Sequence, residues 1–260
     1  MLCLGRVDLL YTNRLKAPIL LIIMANRILI NGSGSSGNNI IIESNGKKML
    51  IDMGVDYKTI MRSLDYDISS IKAALASHNH LDHVRCLDKC IHMGIPCYGN
   101  KDVCDAHNGC IELPNVLNVD GFKVQTFELV HNVPNNAFVI DTDDGIRILY
   151  CTDTKRIPKK VKGVHYAAIE CNYDQDTIID NEMEDVFTKS KPGNHQSLDE
   201  CIRYLKAINN VNLQCIILWH MSMTNIDENK AIAMVKRELG FDNVVVADSG
   251  MEIEIQKSEF

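Results

Sequence analysis

Short β-branched runs dominate the apolar pattern of this chain. "RILI" (27–30) and "NIIIES" (39–44) read as strands joined by the Gly/Ser turn "NGSGSSGN", because Ile-rich runs bounded by Gly, Asn and Ser suit a pleated, buried surface. "ESNGKK" carries Asn45-Gly46, a two-residue hairpin signal, and feeds the strand "MLIDMG". A short helix is expected around 57–64. "IKAALAS" is a continuous apolar run, which predicts a strand buried on both faces. "DHVRCLDKCIHM" then has helical spacing and starts a helix at Asp82.

The second half repeats the plan. "KVQTFELVH", "NAFVID" and "IRILYCTD" read as strands, with Asp144-Gly145 as a turn, and "YAAIECN" as another buried strand. "SLDECIRYLKAI" is an amphipathic helix opening on a Ser-x-x-Glu capping box, Ser197 with Glu200. "LQCIILWH" predicts a strand, "DENKAIAMVKREL" a helix, and "NVVVAD" and "MEIEI" the closing strands. Strands lead in each half and then alternate with helices, so the fold class is α/β or α+β with layered sheets.

Length and charge narrow this picture. The 260 residues contain no linker-like tract and no repeat, which favours one domain over residues 24–260. Residues 1–23 read as an extension outside it: "APILLIIM" is too short to span a bilayer and lacks a cleavage site. The net charge of -7 argues against a general affinity for duplex phosphates, although metal-binding carboxylates inflate the acidic count. "KRIPKKVKG" nevertheless gathers Lys155, Arg156, Lys159, Lys160 and Lys162. Ten cysteines without zinc-ribbon spacing point to reduced thiols and a cytoplasmic protein. Cys86, Cys90, His92 and Cys97 fit no common structural zinc site.

Candidate chemistry concentrates in "SHNHLDHV" (77–84). His78 and His80 alternate by two and face one side of an extended chain, while Asp82 and His83 follow as the chain turns into a helix. One loop can therefore serve two metal ions. A core has little use for such a cluster, since each buried polar ring needs its own partner. Three further candidates close apolar strands: His131 after "KVQTFELV", Asp153 after "IRILYCT" and His220 after "LQCIILW". Loops at strand ends gather at one rim of a sheet and carry function.

These motifs resemble the metallo-β-lactamase-fold hydrolase superfamily, whose signature is His-x-His-x-Asp-His followed by a distant His, Asp and His. "NGSGSSGNN", "LIDMG", "SHNHLDH", "IPCYGN", "YCTDT", "IECNYD" and "HMSMTN" together resemble its YycJ/WalJ-like family, whose members are regarded as exonucleases. The resemblance implies a four-layer αβ/βα sandwich with a dinuclear site at one edge. In it His78, His80 and His131 hold one ion and Asp82, His83 and His220 the other, with Asp153 bridging them. Asp52 in "LIDMG" resembles the buried aspartate that props the ligand loop. His195 in "GNHQS" resembles the family's leaving-group histidine, with Glu170 as its partner. Asn132, Lys155 and the reduction of the terminal motif to His220, Ser222 and a single Asn225 depart from the family pattern; none of these changes falls on a ligand, so the departures bear on substrate choice.

The donor set suits zinc, with manganese or iron tolerated. Two ions about 3.5 Å apart would share a bridging water and lower its pKa toward roughly 7, so the hydroxide is the expected nucleophile. No Ser or Cys nucleophile is needed, and Cys151 reads as packing. The leading expectation is a phosphodiesterase on nucleic acid, a DNA exonuclease, with Asp82, His195 and Glu170 as catalytic groups and Lys155 and Arg156 meeting substrate phosphate. Cyclic-nucleotide hydrolysis is the rival, and a glyoxalase-II-like ester, thioester or lactone hydrolase the alternative of another class. No membrane partner is expected, and a homodimer is left open.

Overall fold

A computed structural model describes residues 26–178 and 192–257; the extension expected at 1–23 lies outside them. The β-branched runs form two mixed sheets. The first contains β1 (Arg27–Gly32), β2 (Asn39–Ser44), β3 (Lys47–Ile51), β4 (Ile71–Leu75), β5 (Cys97–Gly99), β6 (Ile111–Glu112) and β14 (Met251–Glu254), in the order β14-β1-β2-β3-β4-β5-β6. The second contains β7 (Val116–Val119), β8 (Phe122–Glu128), β9 (Asn136–Thr142), β10 (Arg147–Cys151), β11 (Tyr166–Glu170), β12 (Cys215–Trp219) and β13 (Val244–Val246), in the order β13-β12-β11-β10-β9-β8-β7. β3 to β6 run parallel, as do β10 to β13, while the rest of each sheet is antiparallel.

The alternation of side chains along these strands builds four layers. Ile28, Ile30, Ile40, Ile42, Met49 and Ile51 point inward and meet Phe138, Ile148, Tyr150, Ile217 and Trp219 of the second sheet. Their neighbours Leu29, Ile41 and Leu50 point outward. There they pack under α1 (Tyr57–Ser63), α3 (Leu87–His92) and α4 (Lys101–Ala106) through Ile60, Leu87 and Val103. On the far side Leu149, Ala167, Ile169, Ile216 and Leu218 pack under α5 (Leu198–Ile208) and α6 (Glu228–Leu239) through Leu205 and Val235. The strands are apolar on both faces because each face meets a layer. The expected αβ/βα sandwich is the architecture found. Among the described residues no helix is long and apolar enough to cross a membrane.

Local signals behave as their chemistry dictates, with three exceptions. Asn45 and Gly46 both take positive φ in the β2–β3 hairpin. Ser197 caps α5 by accepting from Glu200 N at 3.2 Å, although the Glu200 carboxylate pairs with Arg203 instead of closing the box. The helix expected from Asp82 through Met93 is broken into α2 (Leu81–Val84) and α3. Met53 N donates to His83 O and Cys86 N donates to Met53 O, so the strand-end segment draws this backbone out of the helical ladder. The strand expected through His131 stops at Glu128, because Leu129 N turns to Asn135 O.

Candidate metal centre

Every candidate ligand sits beyond the carboxyl end of a strand or in a loop between strands. Asp52 follows β3, the segment His78–His83 follows β4, Asp153 follows β10, Glu170 ends β11 and His220 follows β12. His131 enters from the β8–β9 loop. Carboxyl ends of parallel strands in the two sheets open onto one edge, the usual ligand position in α/β sheets. Asp52, Asp153 and His220 all adopt positive φ there, at 54°, 48° and 53°.

The side chains converge into two four-residue sets, with a third group of Glu170, His195 and His220 adjoining the second through His220. Ligand atoms of His78, His80, His131 and Asp153 all lie within 4.8 Å of one another, as do those of Asp82, His83, Asp153 and His220. The sets share Asp153. His78 Nε2 is 3.0 Å from His80 Nδ1, which is 3.4 Å from His131 Nε2. Three imidazole nitrogens pointing at one place repel unless a proton or a cation lies between them. In the other set, His83 Nε2 is 3.4 Å and His220 Nε2 3.6 Å from Asp153 Oδ1. His220 Nε2 is buried without a hydrogen-bond partner.

Electrostatics point the same way. Burial, then His83, push His78 well below the ordinary imidazole value, leaving it a neutral donor. Burial also opposes the charge on Asp153, yet His220 and His83 outweigh it and hold that carboxyl well below its usual range. His220, disfavoured by burial but facing Asp153 and Asp82, is pushed up to about 10. The carboxylates are thus ionised and draw positive charge to the centre, which a proton on His220 supplies and which divalent ions would supply in its place. Imidazole and carboxylate donors in these numbers fit such ions.

The surroundings fix the ligands. Asp52, fully buried, accepts from Ser77 N (2.8 Å) and Tyr150 OH (2.8 Å) and meets His83 Nδ1 at 2.7 Å. That places it behind His83, a candidate ligand. Gly54 is the adjoining necessity: a Cβ on it would stand 1.6 Å from Asp82 O. Glu170 is fully buried; its Oε2 accepts from Thr154 N (2.6 Å), and its Oε1 lies 2.7 Å from His195 Nδ1 and 3.4 Å from His220 Nδ1. The His195 ring stacks on His220 with centroids 5.3 Å apart. Burial alone would lower the His195 pKa, but Glu170 outweighs it and raises it.

A pocket of about 250 Å³ opens on this cluster, lined by Ser35, His80, Asp82, His131, Asn132, Asp153, Asn194, His195 and His220. Lys155 and Arg156 do not line it. Their side chains are exposed, while Lys155 N is tied to Val130 O beside His131. Cys151 is buried in the outer core, as expected of packing. Cys86, Cys90 and Cys97 are buried but His92 is exposed, and they form no metal-ligating group. Polar neighbours the sequence did not disclose complete the centre. Asn38 Nδ2 lies 3.0 Å from His83 Nε2, Ser33 Oγ accepts from His220 N, and Asn172 Nδ2 donates to His220 O. Asn38 and Ser33 belong to the "NGSGSSGNN" turn, whose Gly/Ser composition was the available signal.

Comparisons with known proteins agree with the fold. A family described as "Anti-Pycsar protein Apyc1" matches residues 29–103, less than half of the chain. The chain is 23% identical over 165 residues to exodeoxyribonuclease YycJ of Bacillus anthracis, covering 56% of this chain and 62% of that relative. The chain therefore spans less than two thirds of that curated relative. Among solved structures it is similar to the metallo-β-lactamase fold protein YhfI of Bacillus subtilis, with TM-score 0.70 and 17% identity over 88% of this chain and 99% of the other. Human tRNase Z, short form, gives TM-score 0.64 and 14% identity over 88% and 99%.

Proposed function

We propose that this chain, which has the metallo-β-lactamase fold and a YycJ/WalJ-like sequence, is a dinuclear-metal-dependent phosphodiesterase that removes nucleotides from DNA ends. The reading rests on one observation: two donor sets share Asp153, and the His195–Glu170 pair lies at their edge. His78, His80 and His131 would hold one ion, Asp82, His83 and His220 the other, and Asp153 would serve both. When bound, the ions supply an activated water and polarise the phosphoryl oxygens, zinc suiting these donors best.

The chain's own groups do the rest. Glu170 accepts from His195 Nδ1 and turns the ring so that Nε2 carries a proton toward the pocket, where it is given to the leaving alkoxide. Asp52 holds His83 in one orientation through Nδ1. Asn132 and Asn194 line the pocket beside His131 and His195 and orient the substrate there. Lys155 and Arg156, exposed beyond the rim, meet the phosphates of a polymer extending out of the pocket. Hydrolysis of a small cyclic nucleotide is the second reading, favoured by a pocket of only about 250 Å³.

A substrate panel tests both. End-labelled duplex DNA, single-stranded DNA, RNA and cyclic nucleotides are incubated with the protein and zinc or manganese. Mononucleotides released from DNA are the expected result, and cleavage of cyclic nucleotides alone supports the second reading. Turnover of S-acyl glutathione with every phosphodiester untouched contradicts both.

A further inference from the structure

Helix α4 braces the centre from outside. Its N-cap Asn100 donates to Pro134 O at 2.8 Å and Ser77 O at 3.4 Å, touching the loops that carry His131 and His78. At its other end His107 Nδ1 meets Asp88 at 2.8 Å, and His107 Nε2 meets the Asn79 amide at 3.2 Å. Asn79 stands between His78 and His80. His107 therefore holds the residue between two candidate ligands.

Two thiols flank that histidine. Cys104 lies on α4, Cys110 follows His107-Asn108-Gly109, and their sulfurs are 3.2 Å apart. The local chain brings them together. Cys110 N donates to His107 O at 3.1 Å, and Gly109 supplies the φ of +91° that a type II turn needs at its third position. Both sulfurs lie against Gly99: Cys104 Sγ is 3.4 Å from its carbonyl, and a Cβ there would come 3.3 Å from Cys110 Sγ. Cys104 and Cys110 are half-buried, within reach of a small oxidant. Cys171 and Cys201, which also meet, are fully buried, as are Cys86 and Cys90.

We propose that Cys104 and Cys110 form a redox-active dithiol, closed to a disulfide by exchange with a low-molecular-weight disulfide, which sets how the His107 turn grips Asn79 in the metal loop. The effect on the metal rests on the reading of the centre given above. In the exchange, Cys104 thiolate attacks one sulfur of R–S–S–R and expels R–S⁻. Cys110 then gives up its proton and attacks the Cys104 sulfur, forming the intramolecular bond and expelling the second R–S⁻. Two electrons pass from the protein sulfurs to the oxidant, and the two thiol protons end on two R–SH. Attack starts at Cys104 because burial, with Cys104 alongside, pushes the Cys110 thiol up and keeps it protonated. Shortening the contact to a bond of about 2.0 Å draws the His107 turn toward α4 and displaces His107 from Asn79.

The test uses the full chain, reduced and then incubated with oxidised glutathione. Remaining thiols are alkylated and peptides mapped by mass spectrometry; zinc affinity is measured by chelator competition in each redox form. A Cys104–Cys110 crosslink is expected ahead of any other pairing, with a change in zinc affinity of about tenfold, the lower end of what groups behind metal ligands contribute. Cys104→Ser and Cys110→Ser should abolish both. Stable glutathione adducts with no crosslink overturn the dithiol. A crosslink that leaves zinc affinity unchanged overturns the coupling, and zinc bound in neither form overturns the metal centre and the coupling with it.

Discussion

Asp52, Asp153 and His220 hold left-handed backbone at three strand ends, a conformation costing about 1–2 kcal/mol for a non-glycine residue. Such strain persists where the surroundings over-determine it, and here it aims side chains into one edge. Asp153 belongs to both donor sets, so Asp153→Ala should remove bound metal and turnover together, read by metal analysis of the purified variant. A full metal complement in that variant would contradict the shared-ligand role. His195 touches neither set's shared carboxylate, so His195→Ala should retain metal while kcat falls about 10²–10⁴-fold, the range of a general acid. Its raised pKa keeps His195 protonated below the raised value, and the proton is lost as pH rises through it. The kcat profile should therefore fall on its alkaline side, and Glu170→Gln should move that fall to lower pH. An unmoved limb, with metal content checked in parallel, removes Glu170 from the mechanism.

At the scale of elements, β-branched and continuous apolar runs bounded by Gly, Asn and Ser were enough to read most strands of both sheets, because such runs suit a pleated surface buried on both faces. The candidate positions that converge at the ends of β4, β10 and β12 were legible because a polar residue closing an apolar run has few structural uses. The break between α2 and α3 was not, since it comes from Met53 bonding the backbone at His83 and Cys86, a contact between segments about thirty residues apart. β5 to β7 and α4 are short and weakly patterned, so the brace at Asn100 and His107 was also hidden. Gly54 tests the contact that orders this region. A Cβ 1.6 Å from the Asp82 carbonyl cannot fit, so Gly54→Ala should cost at least about 2 kcal/mol in denaturant unfolding, as overpacking does, and weaken metal binding. Wild-type stability in the variant would show that Asp82 does not depend on this close approach.

Across the whole molecule, the two sheets are held by an apolar interior that ends at the polar edge: Tyr150, packed between Phe138 and Trp219, gives its hydroxyl to Asp52. The centre therefore joins the sheets as well as serving chemistry, and ions bound there should stabilise the fold by mass action. Metal at about 100 times its Kd contributes ~2.7 kcal/mol. Chelation should then lower the melting temperature by roughly 5–10 °C for a chain of this size. An unchanged melting curve would mean that the folded chain holds no metal. The Glu170–His195 pair was expected from the resemblance, but the contact of Glu170 with His220 and that of Asn38 with His83 were not read, because each depends on how strand ends within one sheet lie side by side. Anomalous scattering from crystals grown with zinc addresses the centre most directly. Two peaks per chain, about 3.5–4 Å apart, are predicted, one among His78, His80 and His131 and the other among Asp82, His83 and His220, with Asp153 touching both. A single peak, or zinc bound elsewhere, would contradict the dinuclear centre.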